Sequence, residues 1–125
     1  MPRDNPSVEE VKAPVVTFKD HAGYVLVESD EELERKFRLL ADQWRRETRY
    51  ISSLSKMSMH SAYQKIVGMG KPAIPLILRE LQKSGGHWLW ALHVITDEDP
   101  APVDADFDEA VSAWLNWGKR NHFIE

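Results

Sequence analysis

His93 is the one polar side chain in Trp88–Ile95, where seven of eight residues are apolar. An imidazole in such surroundings can act as a base or a metal ligand, and equally as a core histidine whose ring nitrogens are hydrogen-bonded. Asp97 stands four residues on, within reach to orient the ring if the helix persists. His87 lies six residues before His93, off the helical i+3 and i+4 spacing. His21, His60 and His122 show no metal-ligand spacing either. Glu47, Thr48, Ser52 and Ser53 form a second polar group, near the end of a helical pattern. A hydroxyl beside a carboxylate becomes a nucleophile when a base activates it. No Gly-x-Ser-x-Gly elbow is present, and no histidine is placed by spacing to serve as that base. The alternative is a helix end whose hydroxyls bond free carbonyls. The expectation is therefore no catalytic residue, no metal site and no cofactor, with His93, Glu47 and Thr48 as buried polar groups.

Charged side chains offer a different chemistry. Arg35, Arg38, Arg45 and Arg49 fall on one stripe of the first predicted helix, opposite Leu33, Phe37, Leu40 and Trp44. Such a stripe can track phosphates. Glu31–Arg35 and Glu34–Arg38 are also i, i+4 pairs, which make a salt-laced surface, and no aromatic residue interleaves on that face to stack bases. The carboxylates between Asp97 and Glu109 lack the order of an EF-hand. Gly68-x-Gly70 follows a helix rather than a strand, so it is no phosphate loop. Trp117 sits beside Trp114 but off the apolar stripe of the last helix. It is either a cover for the helix end or an exposed anchor, and Trp and Arg are the types that dominate interfaces.

The elements that must carry these residues are mostly helical. Residues 1–14, with Pro at 2, 6 and 14, read as a flexible tail, and 15–125 as one helical domain that opens with a hairpin (15–28). Val15–Phe18 and Tyr24–Val27 are the β-prone runs, joined by Lys19–Gly23. Ser29-Asp30-Glu31-Glu32 fits a capping box. The helix after it runs to about Tyr50, with Leu33, Phe37, Leu40, Ala41, Trp44, Thr48 and Ile51 at core-facing spacing. Residues 52–58 read as a polar break. A helix over 59–69 ends at Gly70, and the next begins between Pro72 and Pro75 and ends at Gly85-Gly86. The segment 88–95 is apolar all round, which predicts a helix at the centre of the domain. Asp106–Glu109 caps a last helix with the stripe Phe107, Ala110, Val111, Trp114 and Leu115, stopped by Gly118. The fold class is mainly α: a compact bundle of about five helices with a short N-terminal β-hairpin.

With 125 residues, 42% of them apolar, five Trp and no Cys, the chain can bury a sizeable core without disulfides. No apolar run reads as a leader or a membrane span, which predicts a cytoplasmic protein without membrane contact. The net charge of −4 is unevenly spread: −5 over residues 1–32, +7 over 33–96 and −6 over 97–125. Either the acidic ends screen the basic middle, or the middle meets an anionic partner.

Ile66–Thr96 resembles a HEAT-type helical repeat unit, on Met69-Gly70, Ala73-Ile74-Pro75, Leu76-Ile77-Leu78, Leu81, Ala91-Leu92 and Ile95. The family's usual Asp in the turn and Arg early in the second helix are replaced by Gly85-Gly86-His87-Trp88. One such unit cannot build a solenoid, so the resemblance implies a HEAT-like helical pair at the centre of the bundle. Over about residues 44–118 the chain also resembles a set of small uncharacterised bacterial proteins. The matching residues are Trp44-x-x-Glu47-Thr48, Ser52-Ser53, Ala62-Tyr63-Gln64, Trp88-x-x-Ala91-Leu92 and Trp114-Leu115-x-Trp117-Gly118. That implies a bacterial origin. The functional expectation is a non-enzymatic, protein-binding adaptor or regulatory subunit, of an antitoxin- or immunity-like kind, its partner another protein. The alternative is nucleic-acid binding through the Arg stripe.

Overall fold

Side-chain acceptors stand at the starts of four helices, at Ser29, Ser53, His60 and Asp106. The computed structural model describes the backbone of residues 15–20 and 23–125 and the side chains from residue 29 on. The tail expected over 1–14 lies outside them. Val15–Asp20 (β1) and Gly23–Glu28 (β2) are paired antiparallel, Val15 opposite Glu28. The loop expected over Lys19–Gly23 falls partly outside the described residues, as do the side chains of both strands. Six α-helices follow, and the chain is mainly helical. It divides into two units, residues 1–38 and 39–125, with the first helix, α1 (Asp30–Glu47), continuous through the boundary. The Ser29 hydroxyl accepts from Glu32 N–H at 3.2 Å at the start of α1, where three acidic residues also suit the positive end of the helix dipole. Phe37, Ala41, Trp44 and Thr48 are buried, as the stripe requires.

Within residues 39–125, the expected polar break over 52–58 is instead a short helix, α2 (Leu54–Met59). A serine is as good a helix cap as it is a helix breaker. Ser53 accepts from Lys56 N–H at 3.3 Å, and the Trp44 indole N–H donates to the Met57 carbonyl at 2.8 Å. That long-range bond stabilises a turn whose intrinsic propensity is weak. With α2, the described residues hold six α-helices where about five were expected. Then come α3 (Ser61–Met69), a 3-10 turn at Lys71–Ala73, α4 (Ile74–Ser84), α5 (Leu89–Thr96) and α6 (Phe107–Arg120). Both bonds of a capping box are present at the start of α6: Glu109 N–H to Asp106 at 2.8 Å, and Asp106 N–H to Glu109 at 2.9 Å. Gly118 does not stop α6. It is buried inside the helix, and a Cβ there would lie 2.6 Å from Leu78 Cδ1, so glycine lets α6 approach α4.

α5 packs on α3, α4 and α6. It is not buried all round, contrary to the expectation for an apolar segment. Ala91 and Leu92, with Trp88 just before the helix, face the core, while Trp90, His93 and Val94 are exposed. Three neighbours cover one side of a helix this short, and the rest meets water. The core beneath combines Tyr63 and Ile66 with Ile74, Ile77 and Leu78 of α4, all fully buried.

One charge pair is built into this packing. The Arg45 guanidinium donates to the buried Glu80 carboxylate at 2.8 and 3.1 Å and to the Gly85 carbonyl at 2.9 Å. Gly86 follows with φ 109°, and a Cβ there would sit 3.1 Å from Arg45 Nη2 and 3.0 Å from Trp88 Nε1. The positive φ and the crowding both call for glycine. Removing one partner of a buried pair leaves the other charge uncompensated, whereas removing both relieves that penalty. Arg45→Leu should cost about 3 kcal/mol in urea unfolding, and Arg45→Leu with Glu80→Leu should recover a good part of it.

Candidate functional site

Several sequence candidates are placed differently from expectation. His93 is exposed, not buried. Its Nδ1 pairs with the Glu98 carbonyl at 2.9 Å and, since a carbonyl only accepts, Nδ1 carries the proton. Asp97 does not hold the ring; it ends α5 with left-handed backbone (φ 58°). Glu47 is exposed as well. The helix rotates it off the buried stripe, where it meets His60 Nε2 at 2.8 Å and Gln43 at 3.4 Å. The His60 hydrogen bond, with a smaller contribution from Gln43, holds its carboxyl below the usual range. Thr48 is buried, its hydroxyl donating to the Trp44 carbonyl at 2.6 Å.

His60 and Glu47 are brought together although sequence spacing gave no hint of it. The pair caps a helix. His60 Nδ1 accepts from Ala62 N–H at 3.0 Å at the start of α3, so the neutral ring carries its proton on Nε2 and donates it to Glu47. Both ring nitrogens are thus engaged, leaving none to activate a serine. Among the described residues, no three His, Asp or Glu side chains gather as metal ligands, and no helix is long and apolar enough to cross a membrane.

The Arg stripe is largely engaged. Arg45 belongs to the Glu80 pair. Arg35 is paired with Glu32, Arg38 lies 5.6 Å from the Phe37 ring centroid and Arg49 5.9 Å from that of Tyr50. Trp117 is buried rather than an exposed anchor. Its indole N–H donates to Glu98 at 3.0 Å, its ring stacks on Phe123 with centroids 5.4 Å apart, and Trp114 meets it edge-on at 5.2 Å. It fastens α6 to the loop that follows α5.

What the molecule does expose is an apolar groove of about 640 Å³. α2 supplies Leu54, Met57 and Met59, the start of α5 supplies Leu89 and Trp90, and the first residue of α6 supplies Phe107. Leu54 is 57% exposed, Met59 73%, Trp90 54% and Phe107 44%, large values for apolar side chains gathered in one place. Sequence reasoning missed all four. Leu54 and Met59 lay in or beside the expected break, Trp90 in the expected centre and Phe107 on the expected buried stripe. The available signal was surplus: the eight-residue segment 88–95, with seven apolar positions, holds more apolar surface than one core face can cover.

Tyr63 forms the inner wall of the groove and joins it to the core. Its ring lies 5.2 Å from Trp44 and stacks on Trp88 at 5.6 Å, while Trp44 and Trp88 are 4.6 Å apart. Its hydroxyl donates to the His87 carbonyl at 3.1 Å and accepts from Ala91 N–H at 2.9 Å. Trp88, the N-cap residue of α5, provides no side-chain acceptor, so the Tyr63 oxygen from α3 caps that helix. Burial pushes the phenol up to about 12, against a small opposing pull from Ala91. A phenol whose folded pKa is raised contributes its full stability below the unfolded value of about 10 and loses it as pH climbs towards 12. Tyr63→Phe should cost about 1–2 kcal/mol at neutral pH through the unsatisfied Ala91 N–H. It should also flatten the fall in stability between pH 10 and 12, and remove a phenolate step near pH 12 from an ultraviolet titration.

Set against protein-family models, curated proteins and solved structures, the chain matches none of them.

Proposed function

We propose that the protein is a protein-binding adaptor or regulatory subunit that receives an apolar segment of its partner in the groove between α2, α5 and the start of α6. The observation that carries this reading is the gathering of Leu54, Met59, Trp90 and Phe107 in the open around one cleft. Methionine and aromatic side chains suit such a role: methionine adapts its shape, and Trp and Phe present large area on few rotatable bonds. Covering their exposed parts is worth on the order of 1 kcal/mol each, the scale on which a small cluster of side chains dominates an interface. The rest of the fold supports a firm platform, since Tyr63 and Trp44 tie the walls to the core by hydrogen bonds as well as packing. In this reading α4 and α5 serve as the HEAT-like pair that presents the groove.

The alternative of nucleic-acid binding has less support, because Arg45, in the middle of the stripe, is held by Glu80 and Gly85.

Met59→Ser with Trp90→Ser alters exposed positions and should leave thermal stability nearly unchanged, within about 0.5 kcal/mol for each site. Helical peptides selected by phage display against the wild-type protein should bind this variant at least tenfold more weakly, measured by fluorescence anisotropy. They should bind Arg46→Glu with Arg49→Glu as well as they bind wild type. Binding that survives the groove variant and disappears with the arginine variant contradicts the proposal.

A further inference from the structure

Phe107, which lines the groove, stands in an acidic stretch of the chain. Phe107 is flanked in the chain by Asp106 and Asp108, with Asp104 and Glu109 within a turn, and all four carboxylate residues are exposed. No Lys or Arg occurs between Asp97 and Gly118. On the facing wall, Lys56 is the only charged residue of α2, while α5 holds no Lys, Arg, Asp or Glu. Four carboxylates therefore stand against one ammonium. Two of them, Asp106 and Glu109, cap α6, but accepting a backbone N–H leaves the charge in place. The positive end of the helix dipole amounts to roughly half an elementary charge and cannot cancel four carboxylates. Consecutive Cα atoms are about 3.8 Å apart, so these groups lie within roughly a Debye length of anything seated on Phe107. An acidic occupant would be repelled there and a cationic one attracted.

Resting on the groove reading above, we infer that the partner segment is an amphipathic helix whose apolar face enters the groove and whose Lys or Arg residues lie along the edge facing the start of α6. Leu54, Met59, Trp90 and Phe107 take the apolar anchors. Asp104 and Asp108, which are not part of the α6 capping box, select the cationic edge. The acidic run over 97–109 then has a use that screening of the basic middle of the chain does not supply.

Three synthetic helical peptides test this, each with the same Leu and Phe residues at i, i+3, i+4 and i+7 and with Lys, Gln or Glu at the flanking positions. Their affinities are read by fluorescence anisotropy at low and high salt. The Lys peptide should bind about tenfold more tightly than the Glu peptide at low salt, equivalent to about 1.4 kcal/mol, with the Gln peptide between them. The gap should shrink at high salt and again with Asp104→Asn and Asp108→Asn, which leave the capping box intact. Equal affinities for the Lys and Glu peptides, abolished together by Met59→Ser with Trp90→Ser, would overturn the inference and leave the groove reading standing. A Lys preference unchanged in the Asn variant would also overturn it, by removing these carboxylates as its source. No binding by any of the three would sink the groove reading and the inference with it. A concentration-dependent dimer lost in the groove variant would assign the groove to a second copy of the chain and overturn the inference.

Discussion

The Tyr63 phenol is the joint on which residues 39–125 depend. A buried hydroxyl must find partners, and this one finds two on the segment that begins α5, donating to His87 and capping Ala91. Its ring is meanwhile held by Trp44 of α1 and by Trp88. One side chain thus sets where α5 starts and which way it faces. Trp44 extends the same arrangement to α2 through the Met57 carbonyl. The groove follows from these bonds. α2 and α5 are both fastened from their inner sides, so Leu54, Met59 and Trp90 are left pointing outwards.

Electrostatics supports this packing without driving it. Burying Glu80 is costly unless a cation accompanies it, and Arg45 provides one while retaining some contact with water. The same guanidinium reaches the Gly85 carbonyl, which steadies the turn from α4 into α5. The glycine pair is needed for more than ending a helix. Gly86 adopts a backbone conformation, and tolerates a closeness to Arg45 and Trp88, that a side chain would not. At the other end of α5, Glu98 ties the helix exit to Trp117, and Phe123 closes over that ring.

How much of this was legible in the sequence depended on whether a signal was local. The α4 stripe, the α6 capping box and the glycine after α4 were readable, because periodicity and capping act within one turn of the chain. α2 was not, because Ser52-Ser53 is ambiguous between breaking and starting a helix and the deciding bond comes from Trp44, far away in sequence. Glu80 gave no sign of burial, since its partner is 35 residues distant. Trp117 was read as off the apolar stripe, yet it stands three residues after Trp114 and is buried with Trp114 and Gly118 on one face of α6; its bond to Glu98 and its stacking on Phe123 join residues that sequence spacing does not connect. The groove was hidden for a related reason. Apolar pattern predicts burial, and the departure from that rule at Trp90 and Phe107 is visible only once the number of covering neighbours is known. His60 and Glu47 meet across 13 residues, and what they build is a helix cap rather than a reactive centre.

We propose that a partner binds in the groove between α2, α5 and the start of α6. Methyl NMR of protein labelled at methionine tests it most directly, because Met57 and Met59 line the groove and Met69 does not. Titration with the lysine-flanked helical peptide should shift the Met57 and Met59 methyl signals in a saturable way while Met69 stays in place. Saturable binding that leaves Met57 and Met59 unmoved would place the partner outside the groove and rule this site out.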